Sequence, residues 1–276
     1  MPDAAWTNGI ISPLSEATVG INDAGFRQGY GVFETLRGYN GRVFRLESHL
    51  ERMQAGAAYL RIAVDMTTVK NAVGQTLQAS GLTTARVRPV ITAGYGGRMT
   101  VSVTVETYQP PSEADYQNGL RATVVAIRRY SKSPIYRYKT LNQIENTLAA
   151  AEANRQGADE AILLNENGEV AETNRGNIFL VKDRVLRTPD PEAGILPGIT
   201  RVTILEIART LGIRTIEGRI TLEDLTNADE VFITSSLIEV MPLTSIGGTV
   251  VTNGRAGTIT AELHRAYRST VSASLT

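Results

Sequence analysis

Cysteine is absent from this 276-residue sequence, histidine occurs only as His49 and His264, and lysine only as Lys70, Lys132, Lys139 and Lys182. Without cysteine there is no thiol nucleophile, no disulfide and no Cys-rich zinc or iron–sulfur site, and no metal centre is expected. A Ser-His-Asp hydrolase would have to use one of the two histidines, and each lies in a segment patterned as an amphipathic helix. A side-chain amine nucleophile could come from only four positions. Long apolar runs are missing as well. No stretch approaches the ~20 residues of a membrane span, and the first residues lack the basic segment and apolar run of a secretory signal. The 28 basic side chains balance 28 acidic ones, so no net field recommends nucleic acid or a membrane as partner. With 42% hydrophobic residues, the chain can bury a sizeable core in one large domain or two ordinary ones. The expected ligand is small, and the expected location is the cytoplasm, with which the lack of cysteine is compatible.

The opening residues read as short strands with turns at Asn8-Gly9 and Asn40-Gly41. The period then changes. Leu46, Leu50, Met53, Ala57 and Leu60 recur at spacings of three and four, which predicts a helix over 46–62, and a second helix is expected over 69–77, stopped near Gly81. Strands are expected at 87–92, 101–108 and 120–128, making the first half α+β with an antiparallel sheet. After the break at Pro110-Pro111-Ser112, the pattern predicts helices at 142–156, 199–211 and 257–272. Between them, strands are expected at 161–164, 169–172, 178–181, 185–187 and 231–234.

Lys70, Lys132 and Lys182 fall in polar or turn segments, as solvated lysines do. Lys139 differs. The run Tyr136-Arg137-Tyr138 before it looks strand-like and meets the helix that starts near Asn142, a rigid place to present a reactive group. A neighbouring cation such as Arg137 and partial desolvation would both favour the neutral, nucleophilic amine.

Three ordered segments surround this lysine in the sequence: Tyr138-Lys139-Thr140-Leu141-Asn142, then the stretch from Val170 through Glu172-Thr173-Asn174-Arg175-Gly176-Asn177 to Phe179, then Leu196-Pro197-Gly198-Ile199-Thr200-Arg201. They resemble the signatures of class IV (fold type IV) pyridoxal-phosphate enzymes. Phe26 through Arg37 and Phe44 through Arg52 are similar to the N-terminal part of the same family. The resemblance runs from about residue 21 to 242, with the motifs in family order. It implies that Lys139 forms the Schiff base with pyridoxal 5'-phosphate and moves protons between substrate and cofactor, and that Glu172 faces the pyridine nitrogen. It also implies a phosphate site made by Arg52, Ile199, Thr200, Ser236 and Leu237. A helix beginning at Ile199 suits an anion, and Arg52 has no carboxylate three or four residues away to pair with on its own helix.

The resemblance further implies a smaller N-terminal α/β sandwich (1–118), a linker (119–123) and a larger C-terminal β-barrel-like domain flanked by helices (124–276), with the cofactor between the two domains. A homodimer is implied, the loop around Arg98 reaching the neighbouring subunit's site. Phe33, Arg37, Arg88 and Arg98 are the candidate substrate-binding residues, because arginine suits a carboxylate. The family features are mixed. Phe33, Arg37 and Arg88-Pro89 look like branched-chain aminotransferases, although Gln28 replaces a tyrosine. Lys139-Thr140-Leu141-Asn142 and Gly97-Arg98 look like D-amino-acid aminotransferases and aminodeoxychorismate lyases, although Phe33 and Thr100 stand where tyrosine and histidine are usual. The favoured expectation is an aminotransferase running a ping-pong reaction through pyridoxamine phosphate, between an amino acid or primary amine and a 2-oxo acid such as 2-oxoglutarate or pyruvate. The alternatives are a lyase that releases pyruvate from aminodeoxychorismate and a non-catalytic small-ligand domain.

Overall fold

In the computed structural model, which describes residues 2–275, the chain begins as two Asn-Gly hairpins. Strands β1 (Ala4–Thr7) and β2 (Ile10–Pro13) are joined by Asn8 and Gly9 at φ 46° and 99°. A short helix α1 (Ala24–Gln28) and strand β3 (Gly31–Phe33) follow. Strands β4 (Leu36–Tyr39) and β5 (Arg42–Val43) then turn through Asn40 and Gly41 at 50° and 74°. Both turns need positive φ at two successive residues, which Asn-Gly tolerates best. Helices α2 (Leu46–Tyr59) and α3 (Met66–Ser80) come next, then the long strands β6 (Thr84–Tyr95) and β7 (Arg98–Thr107). Asp65 caps α3 by accepting from the Thr67 N–H, and Gly81 ends it at φ 67°.

These elements form one compact unit: the chain up to Pro110, the segment Tyr138–Asn142, and the residues from Ser274 onward. Its seven-stranded sheet is antiparallel throughout, in the order β2-β1-β7-β6-β4-β5 with β3 beside β6. Alternation sorts the side chains of β6. Ala85, Val87 and Ile91 turn inward against Val69, Val73 and Leu77 of α3, each of which gains about 1.5–3 kcal/mol from burial. Arg86, Arg88 and Val90 point to the other face. Register places Arg37 opposite Arg86, Phe33 opposite Val90 and Glu106 opposite Arg86. That second face is therefore polar and rich in arginine.

Pro111–Arg137 and Gln143–Ala273 form the second unit. It holds α4 (Glu113–Asn118), β8 (Leu120–Arg129), α5 (Ile144–Arg155), β9 (Glu160–Asn165), β10 (Val170–Thr173), β11 (Asn177–Lys182) and β12 (Val185–Thr188). Then come α6 (Ile199–Thr210), β13 (Thr215–Glu217), α7 (Leu222–Thr226), β14 (Glu230–Ser235), β15 (Glu239–Ile246), β16 (Thr249–Val250) and α8 (Thr258–Leu275). Nine strands make one sheet that curls as a half-barrel, in the order β10-β9-β8-β15-β14-β11-β12-β13 with β16 beside β15. β8 and β9 are parallel, so a crossover is required. α5 supplies it and buries Ala149 and Ala153 with Val125, Ala161 and Leu163. β9, β11 and β14 are buried almost continuously instead of alternating, as strands covered on both faces must be.

Helix and strand type agree with the sequence reading wherever periodicity is strong, with ends moved by a few residues. Residues 134–137 depart from it. The strand-like run before Lys139 begins as a 3-10 turn opened by Pro134, and its aromatics are held by other elements, Tyr136 by Arg129 and Glu145 and Tyr138 by Tyr59. β15 has no strand signal in the sequence, since Glu239 and Pro242 interrupt its apolar residues. Among the described residues, no helix is long and apolar enough to cross a membrane, and no group of three His, Asp or Glu could hold a metal ion.

Candidate active site

In the first unit, Lys139 is fixed by strand pairing. The segment 139–141 runs antiparallel to β3: the Phe33 N–H donates to the Lys139 carbonyl at 2.9 Å and the Leu141 N–H to that of Gly31 at 3.0 Å. Gly31 allows this close approach, because a Cβ there would overlap the Ile91 carbonyl oxygen and crowd Leu141. Tyr138, next to the lysine, stacks on Tyr59 of α2 with ring centroids 4.4 Å apart.

The Lys139 ammonium lies 4.7 Å from the centre of the Phe33 ring, and the Arg88 guanidinium lies 4.2 Å from the same ring. Two cations thus converge on one buried aromatic. Burial, and next the charge of Arg86, lower the pKa of Arg88, which still remains cationic at neutral pH. The sequence suggests Arg137 as the cation near the lysine. Arg137 instead pairs with Glu192 at 3.0 Å, and Arg88 is an arginine that shares the Phe33 ring with Lys139.

Arg52, on α2, also finds the carboxylate that is missing three and four residues away on its own helix. Glu34 lies between β3 and β4, is wholly buried, and binds Arg52 through two parallel bonds of 2.8 and 2.7 Å. His49 Nδ1 lies 2.8 Å from the same carboxylate. Burial pushes the Glu34 carboxyl up, but the Arg52 charge and the His49 and Arg52 hydrogen bonds outweigh it and lower it from 4.5 to about 2. Burial is the largest influence on His49 and lowers its pKa, with the charges of Arg52 and Lys139 adding to that effect. A neutral His49 therefore donates its Nδ1 proton to an ionised Glu34.

Arg37 is buried, with its guanidinium 4.5 Å from the Tyr39 ring and 5.5 Å from that of Tyr108. Arg98 sits exposed at the β6–β7 turn, opposite Tyr95 in register, and is not brought to the Lys139 cluster within this chain.

The second unit gathers the other candidates. Glu172 is buried on β10, just past a bulge that re-aims its side chain. Its Oε1 accepts from Arg129 Nη2 at 3.0 Å, and its Oε2 from Asn177 Nδ2 at 3.2 Å and the Leu196 N–H at 3.1 Å. Asn177 also donates to the Leu196 carbonyl at 2.8 Å, and a Cβ at Gly198 would overlap Asn177 Oδ1. One asparagine therefore ties the Glu172 carboxylate to the start of α6. That helix has Gly198 as its N-cap and no capping side chain, so the N–H groups at Ile199 and Thr200 are available to an anion. Asn177 is opposite Thr234 in register, and beyond Thr234 the chain turns through Ser236 and Leu237. Glu239 closes that turn at φ 55°, held by His264 Nε2 at 2.8 Å and Arg268 Nε at 3.0 Å.

Glu34, His49, Arg129 and Asn177 are not singled out by the sequence reading. Glu34, His49 and Asn177 stand inside the quoted motifs. Arg129 ends a strand and lies outside them.

The family model described as amino-transferase class IV matches residues 31–246. A Methanocaldococcus jannaschii protein provisionally named branched-chain-amino-acid aminotransferase is 36% identical over 95% of this chain and 94% of its own length. A D-alanine aminotransferase of Bacillus licheniformis is 32% identical over 96% of this chain and 95% of its own. Among solved structures, a T.th. branched-chain amino acid aminotransferase with pyridoxamine 5'-phosphate superposes with a TM-score of 0.91 at 29% identity, covering 97% of this chain and 93% of that one.

Proposed function

Because this chain belongs to the class IV amino-transferase family, we propose that it moves an amino group from an amino acid to a 2-oxo acid in two half-reactions, a ping-pong cycle. Its catalytic class, aminotransferase, and its cofactor, pyridoxal 5'-phosphate, follow from that membership. The residues present fit the cofactor: an amine on a rigid segment, a buried carboxylate with three donors, an arginine on a buried anchor, and an uncapped helix start. Bound there, the cofactor supplies an aldehyde to carry the amino group and an electron-withdrawing ring to stabilise charge left on the substrate's Cα.

Each residue then has a task. Lys139 Nζ would hold the cofactor's aldehyde carbon when no substrate is bound, and as a free amine would carry the proton between the substrate's Cα and that carbon. Glu172, kept as an anion by its donors, holds a proton on the ring nitrogen. Arg52, the N–H groups of Ile199 and Thr200, and the Ser236–Leu237 turn hold the phosphate. Arg88 binds the substrate carboxylate. The observation that carries this reading is the pair of cations on the Phe33 ring, which gathers a proton-transfer amine and a carboxylate anchor around one side chain. Arg88 shares its sheet face with Arg37 and with Arg86, which pairs with Glu106, and an arginine-rich face favours 2-oxoglutarate, with its second carboxylate, over pyruvate as acceptor.

A homodimer belongs to the same reading. Asp23 accepts from Thr92 and Thr100 at 2.9 and 2.6 Å and from the Gly25 N–H at 2.7 Å, pinning α1 to the turn end of β6 and β7. Ile21, Phe26 and Tyr95 there are 71%, 70% and 65% exposed, an apolar surface suited to a second copy.

The test is the holoenzyme with single amino acids of either hand and with 2-oxoglutarate or pyruvate, for wild type and Arg88→Gln. Loss of a charge-assisted carboxylate contact, about 2–4 kcal/mol, predicts roughly a 30- to 1,000-fold fall in kcat/KM with cofactor absorption unchanged. An unchanged kcat/KM refutes the anchor role. Pyruvate release from aminodeoxychorismate with no amino acid converting the cofactor would replace transamination by lyase activity.

A further inference from the structure

The role assigned to Glu172 requires its proton to reside on the ring nitrogen, and the second unit contains a residue whose charge acts on that choice. A carboxylate and a pyridine sharing one proton in a dry site can exist as an ion pair or as two neutral groups. Low dielectric favours the neutral pair. We propose that Arg129 is a positioning residue that drives this proton from Glu172 onto the ring nitrogen, and so sets how strongly the bound cofactor withdraws electrons. The proposal rests on the reading of Glu172 as the ring nitrogen's partner.

Arg129 is the last residue of β8, separated from β10 by β9, and it is 5% exposed. Its Nη2 is shared between Glu172 Oε1 at 3.0 Å and Asn146 Oδ1 of α5 at 2.6 Å. Its guanidinium lies 4.6 Å from the Tyr136 ring centre, and Nη1 is 3.6 Å from Glu145 Oε2. The Tyr136 hydroxyl donates to Glu145 at 2.8 Å, which ties that second carboxylate to a proton of its own. Three elements thus orient one guanidinium: the 3-10 turn before Lys139, the first turn of α5 and the end of β8. Arg129 Nε is buried with no hydrogen-bond partner among the described residues. A buried donor left unpaired costs stability, so the side chain is not arranged for stability alone.

The direction of the effect follows from distance. A proton on Glu172 sits close to the Arg129 charge; the same proton on the ring nitrogen sits farther from it. Coulomb repulsion therefore favours transfer to the ring, and the site's low dielectric magnifies it. Asn177 and the Leu196 N–H stabilise the carboxylate anion in the same sense but carry no charge. Arg129 is the cation among the three.

The holoenzyme is loaded with cofactor carrying nitrogen-15 in the ring, and the nitrogen resonance is read by NMR in wild type, Arg129→Lys, Arg129→Gln and Asn146→Asp. The last variant places an anion on the same Nη2 and offsets the charge without deleting the arginine, so it serves if Arg129→Gln does not fold. The wild type and Arg129→Lys are expected to show a protonated ring nitrogen. Arg129→Gln and Asn146→Asp are expected to move the resonance toward the unprotonated position, with a matching fall in kcat and little change in KM. A protonated nitrogen in every variant overturns the role of Arg129 and leaves that of Glu172 standing. An unprotonated nitrogen already in the wild type overturns the reading of Glu172 itself, and this proposal with it.

Discussion

Replacing Glu34 by glutamine keeps its shape and removes the anion paired with Arg52 in the first unit's interior. The Arg52 side chain is 11% exposed and that of Glu34 wholly buried, so the variant breaks an ion pair that is shielded from water. The carboxyl's drop from 4.5 to about 2 on folding sets the scale. At 1.36 kcal/mol per pKa unit it corresponds to roughly 3 kcal/mol, at the lower edge of the 3–5 kcal/mol typical of broken buried pairs. At roughly 2–4 °C per kcal/mol for a chain of this size, Tm should fall by about 6–12 °C at pH 7. The sign with pH is definite. Because the folded-state pKa is depressed, the folded protein binds fewer protons, and the contribution is complete above about 4.5 and vanishes as pH falls toward about 2. Denaturant unfolding of wild type and Glu34→Gln at pH 7, 4 and 3 should therefore show a stability difference that shrinks with acid. A phosphate placed on Arg52 would replace part of the missing anion, so cofactor loading should raise Tm more in the variant than in the wild type. A Tm within about 2 °C of wild type, or a difference constant from pH 7 to 3, would refute the reasoning.

Further expectations follow from packing and surface. Gly31→Ala places a methyl against the Ile91 carbonyl and Leu141 Cδ1, so it should loosen the pairing that holds Lys139; amide hydrogen exchange of Phe33 and Leu141 is expected to rise and kcat to fall by at least about tenfold. Phe26→Glu puts a charge into the exposed apolar end of the first unit; light scattering should show a twofold loss of particle mass while circular dichroism stays unchanged, and an unchanged mass would remove that surface from the proposed dimer.

Much of this architecture is legible in the sequence because local rules and tertiary needs coincide in it. Asn8-Gly9 and Asn40-Gly41 turn where two successive positive φ values are required, and Gly81 stops α3 in the left-handed region. Ordered motifs single out Lys139, Glu172 and the helix start at Ile199 as candidates, since each proposed chemistry depends on a short stretch of chain. What escapes is pairwise and long-range. A partner for Arg52 sought three and four residues along its helix is not found there, because Glu34 is 18 residues away and arrives from another element. Arg129 and Glu172 are 43 residues apart, and only the order of strands in the sheet brings them together. The turn at 134–137 reads as a strand because aromatic alternation looks the same in both until the fixed φ of Pro134 is taken into account.

The account depends most directly on Lys139 as the amine that bonds the cofactor. Purified holoenzyme can be reduced with borohydride, digested, and mapped by peptide mass. A phosphopyridoxyl addition is expected on the peptide carrying Lys139 and nowhere else, with no addition and no visible cofactor band in Lys139→Ala. An addition on Lys70, Lys132 or Lys182, or a band that persists in Lys139→Ala, would contradict it.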